Sequence, residues 1–155
     1  RMALHSHYFN RAEDSEPNPG LKSPPSTRPM SALPLATILR GKGIRQVIEE
    51  LRAPLVAMGA LADHISSLPD VELCHQPDTG ILCFRLTPVG KSETDLDSLQ
   101  NQLFARIMAT GERSISITNL GGKSVLRLVI ITPHTSFDHL RETVVLLRQM
   151  VDYSL

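Results

Sequence analysis

The sequence predicts an α+β fold, with a long kinked helix followed by a small domain of four antiparallel strands in the order β-β-α-β-β-α. Two patterns carry this prediction. From Ile44 to Ile65, apolar residues recur at helical intervals. From residue 69 onward, short apolar strands alternate with amphipathic helical stretches. Such a region buries its apolar side chains when helices cover one face of an antiparallel sheet.

The helical zone covers residues 35–68. Gly41 and Gly43 separate a short apolar helix, near Ser31–Arg40, from the long helix. Pro54 lies inside the long helix and is expected to kink it, because proline has no backbone N–H to donate. Two helices in succession are therefore predicted before the sheet begins.

Four apolar runs in residues 69–155 are typical of strands. The first two are joined by Gln76–Gly80, which contains proline, aspartate and glycine, residues that favour turns. The last two are joined by Asn119–Gly122, which ends in two glycines. The predicted strands are Val71–His75, Ile81–Leu86, Arg113–Thr118 and Ser124–Thr132.

Two amphipathic helices complete this domain. The first is expected to begin at Ser92 or Thr94 and to end at Gly111. The second is expected to begin at Thr135 or Ser136. The acidic residues at the start of the first helix are expected to be solvated and to be favoured by the helix dipole; they are Glu93, Asp95 and Asp97.

Residues 1–34 are predicted to form an irregular segment. Asn10–Pro34 holds more than half of the chain's 11 prolines, and it contains several serines as well. This composition resists both helix and sheet. We therefore expect residues 10–27 to lack regular structure.

Length and charge bound the class of protein. The 155 residues are enough for one full core. The 16 basic and 16 acidic residues balance, so no charge excess points to a nucleic acid or to an anionic membrane. No apolar run approaches the ~20 residues that span a bilayer. The start of the chain lacks the pattern of a secretory signal, so a cytoplasmic location is expected.

Several possible ligand groups have simpler explanations. His5 and His7 lack a third ligand, and a solvent-facing or dimer-contacting role is favoured over metal binding. Cys74 and Cys83 are expected to be reduced, buried thiols on neighbouring strands. The segment Leu120–Lys123 lacks phosphate-loop spacing and a following helix, so a hairpin turn is predicted. No metal site is expected.

Arg127 is the strongest candidate for a functional residue. It lies in the middle of the apolar run SVLRLVII, where a charge is costly unless an anion or hydrogen bonds compensate it. Its planar fork suits a carboxylate. The alternatives are an arginine on the solvent face of an alternating strand and an exposed arginine on an edge strand, and the sequence leaves both open.

Several segments together resemble a known family. The run SVLRLVIITPHTSFDHL looks like the closing motif of group II pyridoxal phosphate (PLP)-dependent amino acid decarboxylases, and GILCFRL resembles the family's preceding strand. Upstream, NPGLKSPPSTRPMSALPLATILRGKG and HSHYFN resemble earlier segments of that family, in the same order. The resemblance spans essentially the whole chain.

The resemblance implies the C-terminal part of a fold-type I PLP enzyme. The Schiff-base lysine of such enzymes lies in a large PLP-binding domain, in a His-Lys pair that this chain lacks. The fragment alone would then be inactive. The parent would be a homodimeric carbon–carbon lyase that removes the α-carboxylate of an amino acid. Residues 1–34 would be the active-site loop and linker, 35–68 the linking helices, and 69–155 the small C-terminal domain.

The resemblance also implies roles for individual residues. Ser26, Thr27 and Arg28 match the turn that approaches the cofactor across the dimer interface. Arg127 matches an arginine that pairs with a substrate carboxylate in the glutamate enzymes. Several family members carry a tyrosine in the loop, but Asn10–Thr27 contains none. A second hypothesis is a free-standing α+β regulatory or interaction module without catalysis.

Overall fold

A computed structural model describes Met30 and residues 32–152. Its internal contacts divide the chain into two units, one up to Ile48 and one from Glu49 onward. The first unit contains helix α1, Ala32–Lys42, and the first residues of helix α2, Ile44–Ser66. No residue of α1 is buried. Gly43, with a φ of 80°, lies between the two helices as predicted, whereas Gly41, which was also expected to separate them, lies inside α1.

Helix α2 is continuous through Pro54. In the second unit its buried residues recur at helical spacing, so that one stripe of the helix faces the core while the rest is open. The buried residues of α2 are Pro54, Met58, Leu61, Ala62 and Ile65. The extent of α2 confirms the long helix predicted from the apolar periodicity, although Leu51 and Leu55 of that pattern are exposed.

Four strands form a single antiparallel sheet: β1 Val71–Leu73, β2 Ile81–Leu86, β3 Ser116–Leu120 and β4 Lys123–Val129. Their order in the sheet is β1-β2-β4-β3, so β2 and β4 occupy its interior. The predicted α+β fold is confirmed.

The first strand is shorter than the predicted Val71–His75. The Cys74 N–H still donates to the Cys83 carbonyl at 3.0 Å. The Cys83 N–H, however, donates to His75 Nε2 at 3.2 Å. The His75 ring thus replaces the backbone carbonyl that would accept the Cys83 N–H in a regular sheet. The hydrogen-bonded pairing of β1 with β2 therefore ends at this point.

The two remaining helices are α3, Glu93–Thr110, and α4, Phe137–Asp152. Ser92 caps α3 through a reciprocal pair with Asp95, and Gly111 ends it in the left-handed conformation. At the start of α4, the Ser136 hydroxyl accepts the His139 N–H at 3.3 Å. The sequence offered two candidate N-caps for each helix. The structure uses Ser92 for α3 and Ser136 for α4.

The core lies between one face of the sheet and the helices. Every helix of the second unit and all four strands contribute apolar residues to one continuous cluster. Its fully buried members include Met58, Leu61, Ile65, Leu82, Phe84, Leu103, Ile107, Leu126, Val144 and Leu147. The opposite face of the sheet is the one that carries charged side chains.

Candidate functional site

Alternation along the two interior strands separates the faces of the sheet. In β2, Leu82, Phe84 and Leu86 belong to the apolar core, so Cys83 and Arg85 project from the other side. Cys83 pairs with Arg127 of β4. Ser116 of β3 also pairs with Arg127. Directly paired residues share a face. We call the side that carries Cys83, Arg85, Ser116 and Arg127 the polar face.

Arg127 is half-buried at the middle of the polar face. Because β4 lies between β2 and β3, the edge-strand alternative is wrong. As in the other alternative, Arg127 lies on the face opposite the core, but it is only partly exposed there. Its Nε donates to Ser116 Oγ at 2.9 Å, and Ser116 Oγ donates to the Arg127 carbonyl at 3.2 Å. The guanidinium is therefore held on the rigid part of the sheet.

The cysteine thiols lie on the same side of the sheet as Arg127. Both are free, Cys83 being buried and Cys74 half-buried. Burial raises the pKa of the Cys83 thiol, and the charge of Arg127 opposes this rise. Burial also raises the pKa of Cys74, to about 11, and nearby Glu72 adds to the effect. Both thiols are therefore protonated and weakly nucleophilic at neutral pH.

The most deeply buried charge in the second unit is Arg85, whose side chain is 0% exposed. Its Nη1 donates to Glu93 Oε2 at 3.0 Å, and its Nη2 donates to Asp97 Oδ1 at 2.8 Å. The same Asp97 oxygen accepts the Ser124 N–H at 2.8 Å. Through Arg85 of β2 and the Ser124 N–H of β4, the start of α3 is thereby bonded to two strands of the sheet.

These contacts correct the expectation for the acidic start of α3. Asp97 is not a solvated carboxylate, because it is only 34% exposed and bonded to Arg85. The hydrogen bond from Arg85 is the main cause that lowers the pKa of Glu93. Sequence reasoning missed Arg85, although ILCFRL encloses an arginine between apolar residues just as SVLRLVII does.

The remaining sequence candidates do not join this site. His5, His7, Ser26, Thr27 and Arg28 lie outside the described residues. Within residues 32–152, no three side chains of histidine, cysteine, aspartate or glutamate converge as metal ligands. None of the helices in that range combines the length and the hydropathy that crossing a bilayer requires. The polar face around Arg127 is thus the candidate site.

Comparison with known proteins identifies relatives of this chain. No family model matches it. It is 28% identical, over 148 residues, to L-2,4-diaminobutyrate decarboxylase of Acinetobacter baumannii, covering 90% of this chain and 28% of that protein. The chain thus spans little more than a quarter of that curated relative.

Solved structures agree with this relationship. The structure of Catharanthus roseus tryptophan decarboxylase in complex with L-tryptophan matches with a TM-score of 0.69 at 26% identity, covering 81% of this chain and 27% of that one. A structure of Oryza sativa TDC with PLP and tryptamine matches with a TM-score of 0.69 at 21% identity, covering 77% and 26%. The curated relative and the Catharanthus roseus structure are named as amino acid decarboxylases, and the Oryza sativa structure holds PLP, which confirms the resemblance seen in the sequence.

Proposed function

We propose that this chain is the C-terminal portion of a group II PLP-dependent amino acid decarboxylase, and that Arg127 binds a carboxylate of the amino acid substrate. The parent enzyme would be a cytoplasmic homodimer. Residues 1–34 would form its active-site loop and linker, 35–68 its linking helices, and 69–155 its small C-terminal domain. Ser26, Thr27 and Arg28 would approach the cofactor from the neighbouring subunit.

The described residues do not fit PLP itself. A Schiff-base lysine is activated by burial or by a neighbouring charge in an enclosed site. Lys42 and Lys123 are exposed, and Lys123 Nζ pairs with Glu93 Oε2 at 3.5 Å. Lys91 lies half-buried in the loop between β2 and α3. The cofactor and its lysine would therefore belong to the large domain of the parent, and the fragment alone would be inactive.

The observation that carries the proposal is the placement of Arg127. An interior strand of an antiparallel sheet is among the more rigid places for a functional side chain. Half-burial strengthens the attraction between a guanidinium and a carboxylate compared with a pair in open water. The planar fork meets the two carboxylate oxygens through two parallel hydrogen bonds. Arg127 would therefore offer a carboxylate a guanidinium whose backbone is already fixed in the sheet.

Decarboxylation by the complete protein tests this function. The full reading frame that contains this chain would be expressed, supplied with PLP and incubated with each of the common amino acids and 2,4-diaminobutyrate. We expect release of CO₂ together with the matching amine from at least one of them. The isolated 155-residue chain, as the control, should release neither. A complete, PLP-loaded protein that converts no amino acid would contradict the proposal.

A further inference from the structure

We propose that Ser116 is a positioning residue, which fixes the guanidinium of Arg127 in the orientation that receives the substrate's carboxylate. This inference rests on the proposed function, in which Arg127 binds that carboxylate. It extends the site from one side chain to a pair of side chains on neighbouring strands, β3 and β4. The specificity of the site would then depend on a hydroxyl group as well as on a charge.

Two hydrogen bonds close a small ring between the residues. Arg127 Nε donates to Ser116 Oγ at 2.9 Å, and Ser116 Oγ donates its own proton to the Arg127 carbonyl at 3.2 Å. A hydroxyl has one proton to give and lone pairs to accept with, so both contacts can exist at once. The carbonyl fixes the hydroxyl, and the hydroxyl in turn fixes the guanidinium.

The hydrogen bond at Arg127 Nε determines which nitrogen atoms of the guanidinium can bind the substrate's carboxylate. Arginine can bind a carboxylate through Nε and one Nη atom, or through both Nη atoms. With Nε engaged by Ser116, a bidentate contact uses Nη1 and Nη2. Arginine is long and rich in rotamers, so holding it in advance removes an entropy loss that binding would otherwise carry.

Of the two residues that pair with Arg127 in the sheet, Ser116 is the better hydrogen-bond acceptor for its guanidinium. Arg127 has two direct partners across the ladder, Cys83 on β2 and Ser116 on β3. Cys83 is a buried, protonated thiol, and sulfur is a weak acceptor. Ser116 provides the oxygen acceptor. Thr118, one step further along the same face of β3, pairs with Val125 and offers a matched control.

Steady-state kinetics of the complete PLP-loaded enzyme test this role. Ser116→Ala should raise KM about tenfold and change kcat much less, because substrate binding would then have to order the Arg127 side chain, which weakens affinity by up to about this factor. Ser116→Thr keeps the hydroxyl and should restore KM to within about twofold. Thr118→Ala removes a hydroxyl from the same strand and face, and it should leave KM unchanged.

A second measurement follows the arginine itself. In the 155-residue chain with ¹⁵N-labelled arginine, the Nε–H signal lost in Arg127→Lys identifies Arg127. That signal should exchange slowly in the wild type and in Ser116→Thr, and rapidly in Ser116→Ala. A protected signal in Ser116→Ala, or an unchanged KM in an active Ser116→Ala enzyme, would overturn the role of Ser116 alone. A wild type that decarboxylates nothing would overturn the proposed function and this inference with it.

Discussion

Replacing Asp97 by alanine should destabilise the fold far more than replacing its partner Arg85 by methionine. The Arg85 side chain is 0% exposed, whereas Asp97 is 34% exposed. Without Asp97, the buried guanidinium keeps only the contact to Glu93, whose side chain is 63% exposed and therefore well screened by water. Without Arg85, by contrast, the carboxylate of Asp97 can still be hydrated and still accepts the Ser124 N–H.

The magnitudes follow from this asymmetry. Removing one partner of a buried ion pair costs about 3–5 kcal/mol. Because Asp97 is a third exposed, we expect the lower end, about 3 kcal/mol, for Asp97→Ala. Arg85→Met removes the buried charge and keeps much of the volume, so it should cost about 1 kcal/mol or less. In the double variant, the methionine should recover part of the loss caused by Asp97→Ala.

Urea unfolding of the 155-residue chain measures these differences. With a slope of about 2 kcal/mol per molar urea, a loss of about 3 kcal/mol lowers the midpoint by about 1.5 M. Asp63→Ala makes the same chemical change on an exposed position of α2, and it should stay within about 0.5 kcal/mol of the wild type. A midpoint for Asp97→Ala that equals the Asp63→Ala midpoint, or an Arg85→Met variant less stable than Asp97→Ala, would refute the reasoning.

Three further predictions concern Gln100, Cys74 and Gly80. Gln100→Ala should lower the free energy of unfolding, measured in urea, by about 2–4 kcal/mol. The reason is that the Gln100 side chain bonds both the N–H and the carbonyl of buried Leu86. A loss below about 1 kcal/mol would contradict this prediction. Cys74, with its pKa raised from 9.0 to about 11, should react with iodoacetamide at pH 8 more slowly than an unfolded cysteine peptide. The folded state favours the protonated thiol, so its contribution to stability is complete below pH 9 and is lost as the pH rises towards 11. Gly80→Ala should lower the melting temperature, because a Cβ at residue 80 would collide with the backbone carbonyl of Ile130; an unchanged melting temperature would count against that contact.

The parts of the fold that could be predicted from the sequence are those set by local patterns. The apolar periodicity predicted α2, and the run Ile81–Leu86 predicted β2 with the bounds that the structure has. The caps were limited to two residues each, and the choice of Ser92 depended on its reciprocal bond with Asp95. Helical periodicity and helix caps depend on residues that are close together in the chain, so they can be predicted from the sequence alone.

The pairing of charged side chains could not be predicted in the same way. Arg85 and Arg127 lie in similar apolar runs, yet one is held by carboxylates of α3 and the other by a hydroxyl of β3. Which partner each arginine meets depends on the strand order β1-β2-β4-β3 and on the position of α3 over the sheet. The short β1 likewise depends on a contact of the His75 ring with Cys83. These are tertiary contacts, and no local pattern encodes them.

The most direct test of the central claim, that Arg127 binds the substrate's carboxylate, is kcat/KM for decarboxylation by the complete enzyme with Arg127 replaced by lysine or methionine. Both changes remove the bidentate contact and should lower kcat/KM at least about tenfold, or roughly 1.4 kcal/mol of transition-state stabilisation. The absorbance of bound PLP should not change, because the lysine that holds it would lie in the large domain. Arg141→Met, at an exposed arginine of α4, should leave kcat/KM unchanged. Wild-type kinetics in a folded, PLP-loaded Arg127→Met enzyme would contradict the claim.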